Sequence, residues 1–178
     1  MKCAIQLLFS DKNQVTINKI RKILMDNGVH DEAVPINHIS LADIEIEENQ
    51  ITLVKSILKE FSQNHKSLNL VLSSVGSFMS KENVLFLTPT MTDDLMKYND
   101  ELIDLLLKNN ITCTKYYTKN NWQPHCTISI RLTDDELFSG FKALKENNIL
   151  PLKVNANAID LLCYDQIPYK ELIKFKLK

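Results

Sequence analysis

The sequence predicts an α+β fold built from two similar halves that face each other across a cleft. Three observations predict it. The element order strand-helix-strand-helix-strand can be read twice. The third element of each half begins at or beside a histidine, His38 in one and His125 in the other. No low-complexity linker separates the halves, so residues 1–178 read as a single two-lobed domain with approximate halves 1–80 and 81–178.

Cys3 to Phe9 (CAIQLLF) is apolar enough for a buried strand. Ile17, Ile20 and Leu24 then share one helical face, and Asn27-Gly28 supplies the stop. Residues 36–42 alternate, with Ile39 and Leu41 on one side and His38, Ser40 and Ala42 on the other. The alternation fails after Asp43, where the strand is expected to end. Ile51, Val54, Ile57, Leu58 and Phe61 mark a second amphipathic helix. Leu68 to Val75 returns as a strand, with a turn expected around Gly76.

The second half opens with a strand at Val84 to Leu87, and Thr92 stands where a helix N-cap belongs. Leu95, Tyr98, Leu102 and Leu105 follow at helical spacing until Asn109-Asn110. A polar loop leads to a strand from His125 to Leu132. Thr133-Asp134-Asp135-Glu136 has the form of a capping box, and Leu137, Phe141 and Leu144 give that helix its buried face. Strands near Lys153–Tyr164 and Tyr169–Leu177 close the chain, the last carrying Lys170, Lys174, Lys176 and Lys178 as the guard of an edge.

Composition narrows the function. With 44% apolar and 24% charged residues the chain reads as a soluble globular protein, expected in the cytoplasm and as a monomer. A net charge of -1 argues against coating long nucleic acid through a broad basic field, while leaving room for one phosphate in a local pocket. Nothing approaches a membrane span of roughly 20 apolar residues, and no signal peptide is expected. Cys3, Cys113, Cys126 and Cys163 contain no CxxC pair, so reduced thiols are expected, with no metal and no cofactor.

The chemistry lies in His38-Ile39-Ser40-Leu41 and His125-Cys126-Thr127-Ile128, both of the form His-x-Ser/Thr-apolar. In a strand this spacing puts imidazole and hydroxyl on one face and the two apolar residues in the core. Two such motifs across a cleft offer two imidazoles and two hydroxyls to one small volume. A phosphodiester needs those parts: a base for the attacking oxygen, an acid for the leaving oxygen, and donors to the non-bridging oxygens. A histidine pKa near 6.5 lets both protonation forms exist near neutrality. Spacing alone is a weak signal, since Ser and Thr fill 21 of 178 positions and His65-Lys66-Ser67-Leu68 also fits. His65 follows a helix end and has no counterpart in the other half, so it reads as a surface turn residue. His30 reads as exposed loop.

The pair of motifs, one per half, resembles the two-histidine phosphoesterase superfamily, the group of 2′-5′ RNA ligase-like proteins and RNA 2′,3′-cyclic phosphodiesterases. The resemblance rests on Ile36-Asn37-His38-Ile39-Ser40-Leu41-Ala42 and on Trp122-Gln123-Pro124-His125-Cys126-Thr127-Ile128, where Pro-His-x-Thr-apolar is the family's usual form. It implies a bilobal α+β fold with pseudo-two-fold symmetry, two mostly antiparallel concave sheets and helices outside. It also implies metal-free chemistry on 2′,3′-cyclic or 2′-5′-linked phosphates. By position, His38 and His125 would be the acid/base pair, and Ser40 and Thr127 the phosphate donors. Asn37 departs from the proline common before the first histidine. Relatives often carry an arginine after the second motif; here the nearest is Arg131, at an even offset that would aim it at the cleft on a regular strand.

Softer candidates lie in the loop before the second motif, where Lys115, Tyr116, Tyr117 and Trp122 mix a cation with aromatics able to stack a base. The run Asp43 to Glu48 reads as a solvated start of the second helix. The expected reaction is hydrolysis of a 2′,3′-cyclic phosphate on an RNA end or a nucleotide, with 2′-5′ ligation as its reverse. The alternatives are a phosphodiesterase for a cyclic nucleotide or cyclic oligonucleotide signal, and a non-catalytic nucleotide- or RNA-end-binding protein.

Overall fold

A computed structural model describes residues 1–32, 36–79, 81–165 and 168–178. Among them run β1 (Lys2–Phe9), α1 (Asp11–Asp26), β2 (His38–Glu45), α2 (Ile51–Asn64), β3 (Leu68–Phe78), β4 (Asn83–Pro89), α3 (Asp93–Lys108), β5 (Cys126–Leu132), α4 (Asp134–Glu146), β6 (Leu152–Cys163) and β7 (Lys170–Lys176). The order is the α+β succession the sequence predicts. Local signals act where they stand. Asn27 caps α1 and Gly28 takes a left-handed φ of 82°, open to a residue without Cβ. Thr92 Oγ1 accepts the Leu95 amide at 3.2 Å, and Thr133 with Glu136 forms the capping box of α4.

All strand pairings are antiparallel, and the order is β2-β1-β6-β3-β4-β5, with β7 added to β6. The two expected sheets join along β3 and β6, which makes one continuous ladder. Exchanging β1 with β4, β2 with β5 and β3 with β6 reverses this order onto itself, so the path has a two-fold arrangement. The third strands are traded between halves: β3 pairs β4, and β6 pairs β1. Helices cover one face, α1 packed with α4 and α2 with α3, over a core containing Ile17, Leu24, Val54, Phe61, Leu102 and Leu144. The sheet curls so that its ends, β2 and β5, come back into contact.

Three expectations need correction. β2 does not stop at Asp43. Consecutive β1 residues Ile5 and Gln6 pair Ala42 and Ser40, so Leu41 is an extra residue in a bulge, and strand pairing resumes to Glu45. A bulge shifts alternation by one without ending a strand, hence two buried neighbours at Leu41 and Ala42. β3 likewise runs through Gly76 to Phe78. Gly76 pairs Phe86, and a Cβ at that position would stand 2.4 Å from Phe86 Cε2, so the glycine is the seat of an aromatic ring rather than a turn. Finally, Cys3 and Cys163 lie opposite each other on β1 and β6, 4.1 Å apart at Cα, and are joined as a disulfide. A separation of 160 residues gave no hint of that pairing. Cys113 and Cys126 are free thiols.

Candidate active site

His38 opens β2 and His125 immediately precedes β5, the two strands that close the curl. Each anchors its ring in the same way. His38 Nδ1–H donates to the Ile36 carbonyl, and His125 Nδ1–H donates to the Gln123 carbonyl, both at 2.8 Å. A carbonyl can only accept, so it fixes the tautomer and leaves Nε2 as the chemically available nitrogen of each ring. Strand parity works as expected: Ile39, Cys126 and Ile128 are buried, while His38, Ser40, His125 and Thr127 are half-buried. The two sites are neighbours. The Cys126 thiol lies on the backbone of His38, and a positive charge on His125 disfavours one on His38.

Electrostatics separate the pair. Burial, reinforced by His125, pushes the His38 pKa down to about 4 against the pull of the Ile36 carbonyl. Burial also lowers His125, without a matching push from His38. Gln6 Nε2 lies 3.1 Å from His38 Nε2, so its amide donates to the ring's lone pair and favours the neutral form. His125 instead meets aromatic rings, Phe78 edge-on at 4.9 Å and Phe86 tilted at 5.1 Å between centroids.

A cavity of about 440 Å³ opens beside His125, walled by Asp43, Phe78, Tyr116, Tyr117 and Trp122 among others. That volume suits a nucleotide-sized ligand. The 114–122 loop is tied to β2. Trp122 Nε1 donates to the Ser40 carbonyl at 3.0 Å, and the Ser40 hydroxyl works against the burial that raises the Tyr117 pKa. Trp122 is therefore a packed wall, 8% exposed. Asp43 is not part of a helix start; it sits in β2, accepts from the Tyr164 hydroxyl and borders this cavity.

The structure thus gathers His38, His125, Ser40, Tyr116, Tyr117 and Trp122 into one neighbourhood, with Thr127 on the face of His125. Lys115 is exposed, its Nζ 5.1 Å over the Tyr116 ring, and is not a wall of the cavity. Arg131 is elsewhere. Its left-handed φ of 60° breaks the regular alternation that would have aimed it inward, and its guanidinium pairs with Glu32 at 3.0 Å and Glu82 at 3.7 Å. His65 is no loose turn residue. It stacks on Phe61 with centroids 3.7 Å apart and meets Glu101 at 2.6 Å. His30 bonds Glu136 at 2.6 Å. Gln6, Asp43, Phe78, Phe86 and Asp160 escaped the sequence reading. For Gln6 and Asp160 a signal existed: each is the one residue in its apolar run, CAIQLLF and AIDLLC, that an interior strand position does not explain. Among the described residues, no group of three or more His, Cys, Asp or Glu side chains is arranged to hold a metal ion.

A curled antiparallel sheet with a histidine motif on each closing strand defines the class, and solved structures share the fold. Apo LigT of E. coli superposes with a TM-score of 0.68 at 11% identity, covering 99% of this chain and 96% of that one. TT0787 of Thermus thermophilus gives 0.64 at 14% identity, covering 99% and 98%. LigT has also been solved with 3′-AMP, at a TM-score of 0.64 and 13% identity over 99% of this chain and 96% of that one. A Bacillus licheniformis protein that carries the name of a phosphoesterase is 28% identical over 137 residues, 76% of this chain and 75% of its own. The 2′-5′ RNA ligase superfamily model matches residues 9–167, and the chain belongs to that superfamily. No described helix is long and apolar enough to cross a membrane.

Proposed function

We propose that the protein hydrolyses 2′,3′-cyclic phosphates on RNA ends or nucleotides, without a metal. The observation that carries this reading is the matched anchoring of His38 and His125 beside each other, which leaves Nε2 of each as the nitrogen for proton transfer, on His38 once the Gln6 amide gives way. A water attacks phosphorus in line and loses its proton to one imidazole. The P–O bond to one ribose oxygen breaks, and the other imidazole, entering as imidazolium, protonates that oxygen. The product is a phosphomonoester, and the two rings have exchanged charge. His38 suits the acceptor role, because the Gln6 amide and the nearby His125 both disfavour its charged form. Ser40 and Thr127 would donate to the non-bridging oxygens, where charge grows. Tyr116 and Tyr117 would flank the nucleoside. Binding of 3′-AMP by LigT, a fold relative, supports a nucleotide in this cleft. Run in the same direction with an RNA 5′-hydroxyl in place of water, and with the P–O bond to the 3′ oxygen the one that breaks, the same steps make a 2′-5′ linkage.

The test is turnover of nucleoside 2′,3′-cyclic monophosphates in excess EDTA across pH. Both imidazoles are depressed, so the singly protonated pair is most abundant below pH 6.5. The expected profile of kcat/KM is a bell centred on the acid side of neutrality. Loss of turnover on chelation would refute the mechanism. Preference for a cyclic dinucleotide over every 2′,3′-cyclic substrate would redirect it to signal breakdown, and tight binding without turnover to a binding protein.

A further inference from the structure

Behind His38 lies a polar row that the hydrolytic scheme leaves unused. Ser40, Gln6 and Asp160 are direct cross-strand partners on β2, β1 and β6, so their side chains project from one face of the sheet. Gln6 is 3% exposed and Asp160 is 0% exposed, each in an apolar stretch of its strand, AIQLLF and AIDLLC. Gln6 already bonds His38. Both Asp160 carboxyl oxygens are buried without a hydrogen-bond partner, a costly condition unless a proton or a neighbouring amide satisfies them. The equivalent row in the other half holds no such groups: Thr127 pairs Phe86, and Phe86 pairs Gly76.

We propose that Gln6 is a positioning residue for His38 and that Asp160, from behind, sets which end of the Gln6 amide faces the imidazole. The proposal rests on the hydrolytic reading only for its catalytic consequence. An amide is two-ended, with one edge donating and the other accepting. When Asp160 is protonated, its O–H donates to Gln6 Oε1, which leaves the NH₂ group for the His38 Nε2 lone pair; His38 stays neutral and ready to accept a proton. When Asp160 is ionised, it takes the NH₂ group, and Oε1 turns to accept Nε2–H from a protonated His38. The amide turn thereby couples two titrations: Asp160 gives its proton to solvent, the amide turns, and the edge then facing the ring favours uptake of a proton from solvent by His38.

Asp160 is placed for this. Burial, aided by Glu171, holds its pKa up to about 7, against a lowering pull from Lys174. The charged or titratable groups facing it are Glu171, Lys174 and Lys176 on β7, through the rows of Leu162, Asp160 and Ala158, and His38 on β2. Glu171 and the lysines act on the carboxyl itself, whereas the route to His38 passes through Gln6.

The experiment follows ring resonances of His38 by NMR across pH 4–9 in the full chain, which needs no turnover. Wild type is expected to show the low His38 titration and a second inflection near neutrality that reports Asp160. Asp160→Asn keeps the shape, removes the second inflection and leaves the first in place. Gln6→Leu abolishes the second inflection although Asp160 still titrates. Gln6→Glu, should the leucine variant not fold, fixes an anion beside the ring and raises the His38 titration by more than one pH unit. In kinetics, Asp160→Asn alters the alkaline limb of kcat with KM unchanged. A His38 signal blind to Asp160 in wild type, or still sensing it in Gln6→Leu, overturns the proposal even if cyclic phosphates are hydrolysed. The NMR result standing without any such hydrolysis overturns the functional reading alone.

Discussion

The surroundings of His38 and His125 differ far more than their backbones do. Both rings sit one residue ahead of an inward-facing hydrophobe, and both hang from a carbonyl two residues earlier. Yet the strand beside His38 offers Gln6 and then Asp160, whereas the strand beside His125 offers Phe86 seated on Gly76. Duplicate geometry supplies two hands of equal reach. In the proposed mechanism, unequal neighbours decide which hand is empty when the substrate arrives. An acid and a base cannot be the same residue in the same state, so a symmetric pair of sites must be made asymmetric by something outside the motif.

The sharpest way to break this comparison is to remove each ring in turn. His38→Ala and His125→Ala are each expected to cost roughly 10²–10⁴-fold in kcat/KM. Added imidazole separates them: rescue of His38→Ala should rise with pH, following the neutral form, and rescue of His125→Ala should fall with it. Identical pH dependence in both variants would erase the asymmetry.

Stability offers a second, smaller handle. His38 has a folded pKa of about 4 against about 6.5 unfolded, so between those values the unfolded chain binds the extra proton and stability drops as pH falls. The loss is on the order of 2–3 kcal/mol by pH 4 and should flatten in His38→Gln. Asp160 slopes the other way. Its folded pKa of about 7 against about 3.9 unfolded gives stability that is complete below the unfolded value and declines as pH rises to neutrality. Urea melts of wild type, His38→Gln and Asp160→Asn between pH 4 and 8 would show whether the two slopes belong to these residues. The smallest effect belongs to Arg131→Ala. Its pairs with Glu32 and Glu82 are exposed, so stability should move by less than about 1 kcal/mol and kcat/KM by less than about twofold. A large kinetic loss there would show that Arg131 reaches the phosphate in the bound state.

Much of this site can be read from residue spacing. The two His-x-Ser/Thr motifs, the caps at Thr92 and Thr133 and the run of elements all follow from period and local chemistry. Other features follow long-range pairing, which local periodicity does not encode. The Leu41 bulge looks like a strand end because its shifted alternation is the same pattern an ending would give. Gly76 looks like a turn because the ring it accommodates is ten residues away, on another strand. Arg131 looks like a phosphate contact because even spacing presumes a regular strand, and its own backbone is not regular. Gln6 and Asp160 carry a faint signal as polar residues in apolar strands, yet only the register of three strands puts them in line with His38.

The trade of third strands bears on how such a molecule can be taken apart. Among the described residues, β3 finds no pairing partner within 1–80, and β6 finds only β7 within 81–178. Fragments produced separately would each hold the antiparallel pair of one histidine strand and its neighbour, with β3 orphaned in the first and β6 left with β7 alone in the second. Neither piece can mature alone. Co-expression of the fragments should restore the complete ladder, with both imidazoles arriving in the same assembly event.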